Sequence, residues 1–311
     1  MNTGKRIVVF GLDMFQLPTK VGDYQIKQIP SLKYVSPSKR IIRTILFRLN
    51  SSKSVSFYNV EEVVSTINNN DILIVFDALP IYVVNYLSDV IKDFTPKKII
   101  YFWNVIRNIS LFKLTSDWKC CSFDFGDSIK YNVKYVSTFY LPETINNQSI
   151  SSDIYFAGKN KGRFKTIRSL EDKFAGKPIK LDFHYVSSLS KILPFKYEGP
   201  MPYDTIRQGV SSARSILDIT QNGQIGLTQR FMESLFYNKK ILTNNKNVMY
   251  YKFYTNSNIL ILDDSTSYED VVMFLNKECK HNESALIDFY RFDHWLQRVL
   301  SPIQTQYDII I

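Results

Sequence analysis

Two successive α/β units, each a parallel sheet wrapped by helices, are what this sequence predicts. Three observations predict it. Short apolar runs alternate with amphipathic stretches, the alternation lapses once near the middle, and it then restarts with the same rhythm. A chain of 311 residues has the length for one large or two ordinary domains.

Arg6–Gly11 (RIVVFG), Asp71–Phe76 (DILIVF) and Lys98–Trp103 (KIIYFW) read as buried parallel strands, being short, β-branched or aromatic, and bounded by polar residues. Ser38–Asn50, Val60–Asn69 and Pro80–Phe94 read as helices between them, with Pro80 at a first turn, where a missing N–H costs nothing. Lys119–Phe123 and Lys134–Ser137 add two strands. Phe139–Ser152 has no apolar period and reads as the linker. Beyond it, Asp153–Ala157, Lys180–Val186, Ser215–Ile219, Lys240–Thr243 and Asn258–Leu262 read as strands. Helices are expected at Gly162–Phe174, Thr228–Tyr237 and Tyr268–Lys277, with one long closing helix over Ala285–Leu300. The organisation predicted is two Rossmann-like domains facing a cleft, residues 1–145 and 146–311, with the last helix packing back on the first domain.

Hydrophobic residues at 45% and charged residues at 22% exclude a disordered or low-complexity chain. No window approaches the ~18 apolar residues of a membrane span. The six-residue apolar run before Asp13 is too short for a signal peptide, so the expected location is the cytoplasm. Three cysteines without CxxC spacing support neither disulfides nor a zinc site. The net charge of +10 is localised. Residues 1–53 carry ten Lys or Arg against Asp13 and Asp23, a balance of +8, whereas the other 258 carry 29 basic and 27 acidic side chains, only +2. Such a patch suits an anionic membrane, a diphosphate-linked acceptor or nucleic acid. Within it, Ile41, Ile42, Ile45, Leu46 and Leu49 fall at helical spacing, with Lys39, Arg40, Arg43 and Arg48 around them. That pattern fits either a helix docked on its sheet or one resting on an anionic inner leaflet.

The first half lacks G-x-G-x-x-G after its first strand, and no P-loop occurs anywhere. Asp124-Phe125-Gly126 spells a kinase metal motif without the glycine loop or HRD segment that would give it meaning. Asp13 and Asp77 each follow a strand at the carboxyl edge, where a general base would sit or where a turn needs a cap. Trp103 and Asn104 end a third strand there, and an indole face can stack on a sugar.

The second half carries more. Gly158-Lys159-Asn160-Lys161-Gly162-Arg163 links a strand to a helix with small residues and three cations, an anion-binding composition. Gln224, Gly226 and Thr228 lie in a polar, glycine-bearing loop that opens the helix holding Arg230 and Glu233, which are three apart on one face. Alone, that pair reads as a surface ion pair. Two such turns at the carboxyl ends of parallel strands point to a ligand that needs both cations and a carboxylate.

The runs SDIYFAGKNKGRFKTIRSL and ILDITQNGQIGLTQRFMESLFYNKKILTNN, with IIYFWN and CSFDFGDSIKYNVKY before them, resemble bacterial lipopolysaccharide and capsular polysaccharide glycosyltransferases of the GT-B type. The resemblance covers most of residues 70–265. It implies a nucleotide-diphosphate sugar held in the second domain, with Arg230, Lys161 or Arg163 on the diphosphate and Glu233 on the ribose. It implies transfer of a hexose to a lipid-linked oligosaccharide acceptor, and, in those members that invert configuration, a first-domain base, for which Asp13 and Asp77 are the candidates; the sequence does not decide between inversion and retention. The sequence departs from the widespread pair of glutamates separated by seven residues, because counting back eight from Glu233 gives Ile225, beside Gln224. No metal or other cofactor is expected, since no DxD follows an apolar strand and the basic residues can take a metal's electrostatic place. A nucleotide-sugar epimerase of the same form and a non-catalytic assembly scaffold are the rival readings. A nucleic-acid partner is not expected, as no RNP, KH or finger signature is present.

Overall fold

The apolar run Arg6–Phe10 forms β1, with four of its five residues buried, as a strand covered on both faces requires. It lies in a seven-stranded sheet with the hairpin Lys20–Val21 (β2) and Tyr24–Ile29 (β3) on one side. On the other side lie Ile72–Phe76 (β4), Lys97–Phe102 (β5), Trp118–Ser122 (β6) and Lys134–Tyr135 (β7). All neighbours are parallel except β2 and β3. Helices Val60–Thr66 (α2) and Ile81–Val90 (α3) bury Val63, Val83, Val84 and Leu87 on Val8, Phe10, Leu73 and Val75. Each such side chain contributes about 1.5–3 kcal/mol on burial. The computed structural model describes residues 5–49, 51–143, 148–186, 197–199, 201–221, 223–302 and 308–309.

Helix α1, Pro37–Arg48, packs chiefly on the 3-10 turn Ser52–Phe57, not on the sheet as a conventional docked helix would. A short helix, Phe125–Tyr131 (α4), follows β6. It explains the chance kinase motif, since the Asp124 carboxylate accepts from Asp127 N at 3.1 Å and caps the helix.

The chain divides after Val136 into two compact units. Phe139 and Tyr140, inside the stretch that lacks apolar period, are fully buried within the second unit. Its sheet holds Ser152–Lys159 (β8), Leu181–Val186 (β9), Tyr197–Glu198 (β10), Ala213–Asp218 (β11), Lys240–Thr243 (β12) and Ile259–Ile261 (β13). The order is β10-β9-β8-β11-β12-β13, and every pair is parallel. Counted within the unit this is 3-2-1-4-5-6, which reverses direction between β8 and β11. Helices Phe164–Phe174 (α5), Tyr203–Ser211 (α6), Gln229–Phe236 (α7) and Tyr268–Asn276 (α8) complete the crossovers. The last of them carries a full capping box between Ser267 and Asp270.

The long closing helix expected over Ala285–Leu300 is two helices, Ser284–Phe289 (α9) and Phe292–Leu300 (α10). Tyr140 N donates to the Tyr290 carbonyl at 2.8 Å, and Arg291 turns to extended backbone at ψ 152°. A tertiary hydrogen bond thus takes the acceptor that a continuous helix would use. The second helix stacks Trp295 and Phe292 on Phe139, so its documented packing lies inside the second unit. No helix among the described residues is long and apolar enough to cross a membrane.

Candidate functional site

Where β8 and β11 adjoin, their outgoing loops part, and both carry charge. After β8, Lys161 and Gly162 adopt left-handed φ values of 45° and 84°. This costs a non-glycine residue about 1–2 kcal/mol but folds the loop tightly back into α5. Asn160 Oδ1 accepts from Phe164 N at 3.2 Å and holds the helix start. Lys159 and Lys161 stay exposed on the rim.

Arg163 turns inward and is 7% exposed. Its Nε donates to the Lys159 carbonyl at 3.1 Å and its Nη1 to the Ile219 carbonyl at 2.9 Å, tying the two loops together. Arg230, in the first turn of α7, reaches back to donate to the Ala157 carbonyl. Both guanidinium carbons lie over the buried Phe156 ring, 5.3 Å and 5.1 Å from its centroid. Gly158 permits this convergence, because a Cβ there would stand 2.7 Å from the Arg163 Nη2 and nearer still to Arg230. Burial, and next the neighbouring Arg230 charge, push the Arg163 guanidinium down to about 9. Two like charges side by side favour an anion as third partner.

Beneath them lies a carboxylate layer. Asp218 closes β11 fully buried, its Oδ1 accepting from Thr228 Oγ1 at 2.8 Å and its Oδ2 from Thr243 Oγ1 at 3.3 Å. Burial raises its carboxyl, against the pull of Arg230, Thr228 and Arg163. Glu233 is 2% exposed; its Oε1 accepts from Tyr203 OH at 2.8 Å, and its Oε2 has no hydrogen-bond partner among the described residues. The Tyr203 hydroxyl lies 3.2 Å from that of Tyr140. The Glu233 carboxyl, expected to meet a ribose, is enclosed here, within the electrostatic reach of Arg230.

The rest of the polar loop serves its own shape. Thr228 caps α7 by accepting from Phe231 N, the Gln224 amide donates to the Gly226 carbonyl at 3.0 Å, and Asn245 holds the Ile225 carbonyl at 3.0 Å. The structure therefore gathers Arg163, Thr228, Arg230 and Glu233 around one point, with Lys159 and Lys161 at its rim. Sequence reasoning missed Asp218 and Tyr203. An acid ending the apolar strand SILD was the available signal for the first, while Tyr203 had none, since its partner is 30 residues away.

Burial carries the Glu233 carboxyl from its ordinary 4.5 to about 7, opposed by Arg230 and Tyr203. The native state thus keeps this proton to higher pH than the unfolded chain does. The resulting stabilisation is complete below about 4.5 and is lost as pH rises through about 7. Glu233→Gln keeps an acceptor for Tyr203 and removes the titration. Its stability is expected to gain on the wild type across that window, by of order 3 kcal/mol at pH 8, read as a higher melting temperature. Parallel melting curves from pH 4 to 8 would count against this assignment.

In the first unit, β1 and β4 flank the corresponding reversal. Gly11 has φ 91°, and a Cβ on it would stand 2.7 Å from the Phe76 carbonyl, so only glycine lets the two strand ends approach. Asp13 is exposed beyond it, oriented by Ser31 N at 2.9 Å from Oδ1. Asp77 is a turn residue: its Oδ1 accepts from Trp103 N at 2.6 Å and from Asn104 N and Nδ2 at 3.2 Å and 3.3 Å. A carboxylate engaged by those N–H donors fixes the chain that leaves β5. Trp103 is half-buried, stacked on Phe15 at 6.1 Å and tilted on Phe76 at 5.3 Å. Among the described residues no group of three or more His, Cys, Asp or Glu is placed to hold a metal ion.

No family model matches the chain, and no curated protein does. Solved structures are similar over nearly its whole length. AviGT4, a glycosyltransferase involved in avilamycin A biosynthesis, has a TM-score of 0.50 at 8% identity, covering 94% of this chain and 95% of that one. An α-glucosyltransferase solved with UDP and a 13-mer DNA containing an HMU base has a TM-score of 0.49 at 11% identity, covering 94% of each chain. The β-glucosyltransferase of T4 phage, solved with UDP-glucose, has 0.45 at 12%, covering 95% of each. With the strand orders above, the first likeness establishes the fold, a two-domain α/β architecture of GT-B type.

Proposed function

We propose that this chain transfers a hexose from a nucleotide-diphosphate sugar to a lipid-linked surface glycan at the inner face of the cytoplasmic membrane. One observation carries the donor assignment: two guanidinium groups converge over Gly158 at the strand-order reversal of the second unit. Arg230 neutralises the diphosphate, with Lys159 and Lys161 adding charge from the rim. Arg163 acts at one remove, holding both loops in register. The loop of Gln224, Gly226 and Thr228 presents backbone groups to the nucleotide.

In this reading the acceptor hydroxyl attacks the anomeric carbon as the bond from that carbon to the diphosphate oxygen breaks. The electron pair leaves on the diphosphate, stabilised by Arg230. Asp13, the exposed and oriented carboxylate of the first unit, takes the acceptor's proton. Asp77 is a positioning residue for Trp103 and Asn104.

The test is a transfer assay with radiolabelled UDP-, GDP- and dTDP-hexoses and a bacterial lipid extract. One donor is expected to carry label into the lipid phase, and Asp13→Asn should lower that rate by about 10²-fold or more. Label found instead in a free epimeric sugar nucleotide or in duplex DNA, or no turnover of any donor, would reject this reading.

A further inference from the structure

None of the α1 side chains that the structure describes is buried. Ile41, Ile42, Ile45, Phe47 and Leu49 are each more than half exposed. At about 100° per residue, Ile41, Ile42, Ile45 and Leu49 share an arc of roughly 100°. Contiguous apolar surface of this kind marks a contact site. Beside it lies a recess of about 500 Å³ lined by Lys33, Tyr34, Arg43 and Asn59, among others. Tyr34 stands 94% exposed at its edge. Lys33 is engaged by Glu61 at 2.7 Å, and the half-buried Arg43 lies near enough to Tyr58 to bear on its hydroxyl, whereas Lys39 is exposed.

Charge selects the occupant. The α1 sequence, PSKRIIRTILFR, contains no acidic residue, and the first 53 residues carry ten cations against two acids. Two copies meeting through α1 would set like charges against each other. Nucleic acid would answer the cations and leave five bulky apolar side chains in water. A bilayer with anionic headgroups satisfies both, since aliphatic groups enter the acyl boundary while cations meet lipid phosphates. The side chains of Arg40 and Arg48, expected to share this contact with Lys39 and Arg43, lie outside the described residues.

We infer that α1 is a membrane-docking helix that inserts Ile41, Ile42, Ile45 and Leu49 into an anionic bilayer, with the exposed Lys39 flanking the inserted face and meeting a lipid phosphate. The inference deepens the membrane-linked acceptor reading above but rests on α1 alone.

The test is co-sedimentation of the full chain with vesicles of phosphatidylcholine, with and without about one-third phosphatidylglycerol. Binding is expected on the anionic vesicles. Ile42→Ser with Ile45→Ser should lower it at least about tenfold, and Lys39→Ala about fivefold. These positions are solvent-facing, so near-wild-type melting is the check that the variants fold. No sedimentation of folded protein, retention unchanged by both variants, or a dimer that the Ile42→Ser/Ile45→Ser pair dissolves would overturn the inference. A nucleotide-dependent melting shift should survive in these variants, so a failure here leaves the donor site standing, and the reverse.

Discussion

Arg230→Ala is expected to lower kcat/KM for sugar transfer by about 10²–10³-fold, the usual cost of removing one preorganised donor from a developing anionic charge. The geometry argues for so large an effect. Arg230 is held by the Ala157 carbonyl and over the Phe156 ring, in the field of the buried Asp218 and Glu233. A group fixed in that way meets the leaving diphosphate without first ordering itself. Arg230→Lys keeps the charge but loses the planar fork and the ring contact, and should fall between the two. Should Arg230→Ala turn over at the wild-type rate, the diphosphate is bound elsewhere.

Asp218→Ala is expected to cost about 2–4 kcal/mol of stability, because the Thr228 and Thr243 hydroxyls lose their shared acceptor and the two nearby guanidinium groups lose an opposing charge. For a unit of this size each kcal/mol moves the melting temperature by roughly 2–4 °C. Asp218→Asn keeps the shape and one carbonyl acceptor, and should lose less. A melting temperature for Asp218→Ala equal to the wild type would mean that the carboxylate does not organise the arginine pair. The prediction also separates stability from chemistry, since the Asp218 carboxylate is fully buried and holds the Thr228 and Thr243 hydroxyls.

The strands at the heart of both sheets were legible because a strand buried on both faces has to be a continuous apolar run, as RIVVF and ILIVF are. β3, YQIKQI, was not. It lies next to the edge hairpin, its exposed side takes Gln and Lys, and only the Gly22 turn marked it. The break at Tyr290–Arg291 was equally hidden, since the sequence there keeps a helical period and a backbone N–H from residue 140 decides the matter. At the site, the cations were readable from their place between strand and helix. Their orientation was not, for the inward turn of Arg163 depends on Gly158 and Ile219, and the burial of Glu233 depends on Tyr203. Asp77 read as base or turn residue, and its hydrogen bonds from the backbone N–H groups of Trp103 and Asn104, 26 and 27 residues on, had no signal in the sequence.

The central claim is that the Arg230 site binds a nucleoside diphosphate. A thermal-shift panel of UDP, GDP, CMP, ADP and dTDP, with and without magnesium, on the wild type and on Arg230→Ala, tests it most directly. One nucleotide at ~100 times its dissociation constant should stabilise the wild type by roughly 2.7 kcal/mol, and the shift should vanish in the variant. A folded wild type that none of the five stabilises, or a shift that Arg230→Ala retains in full, would contradict it.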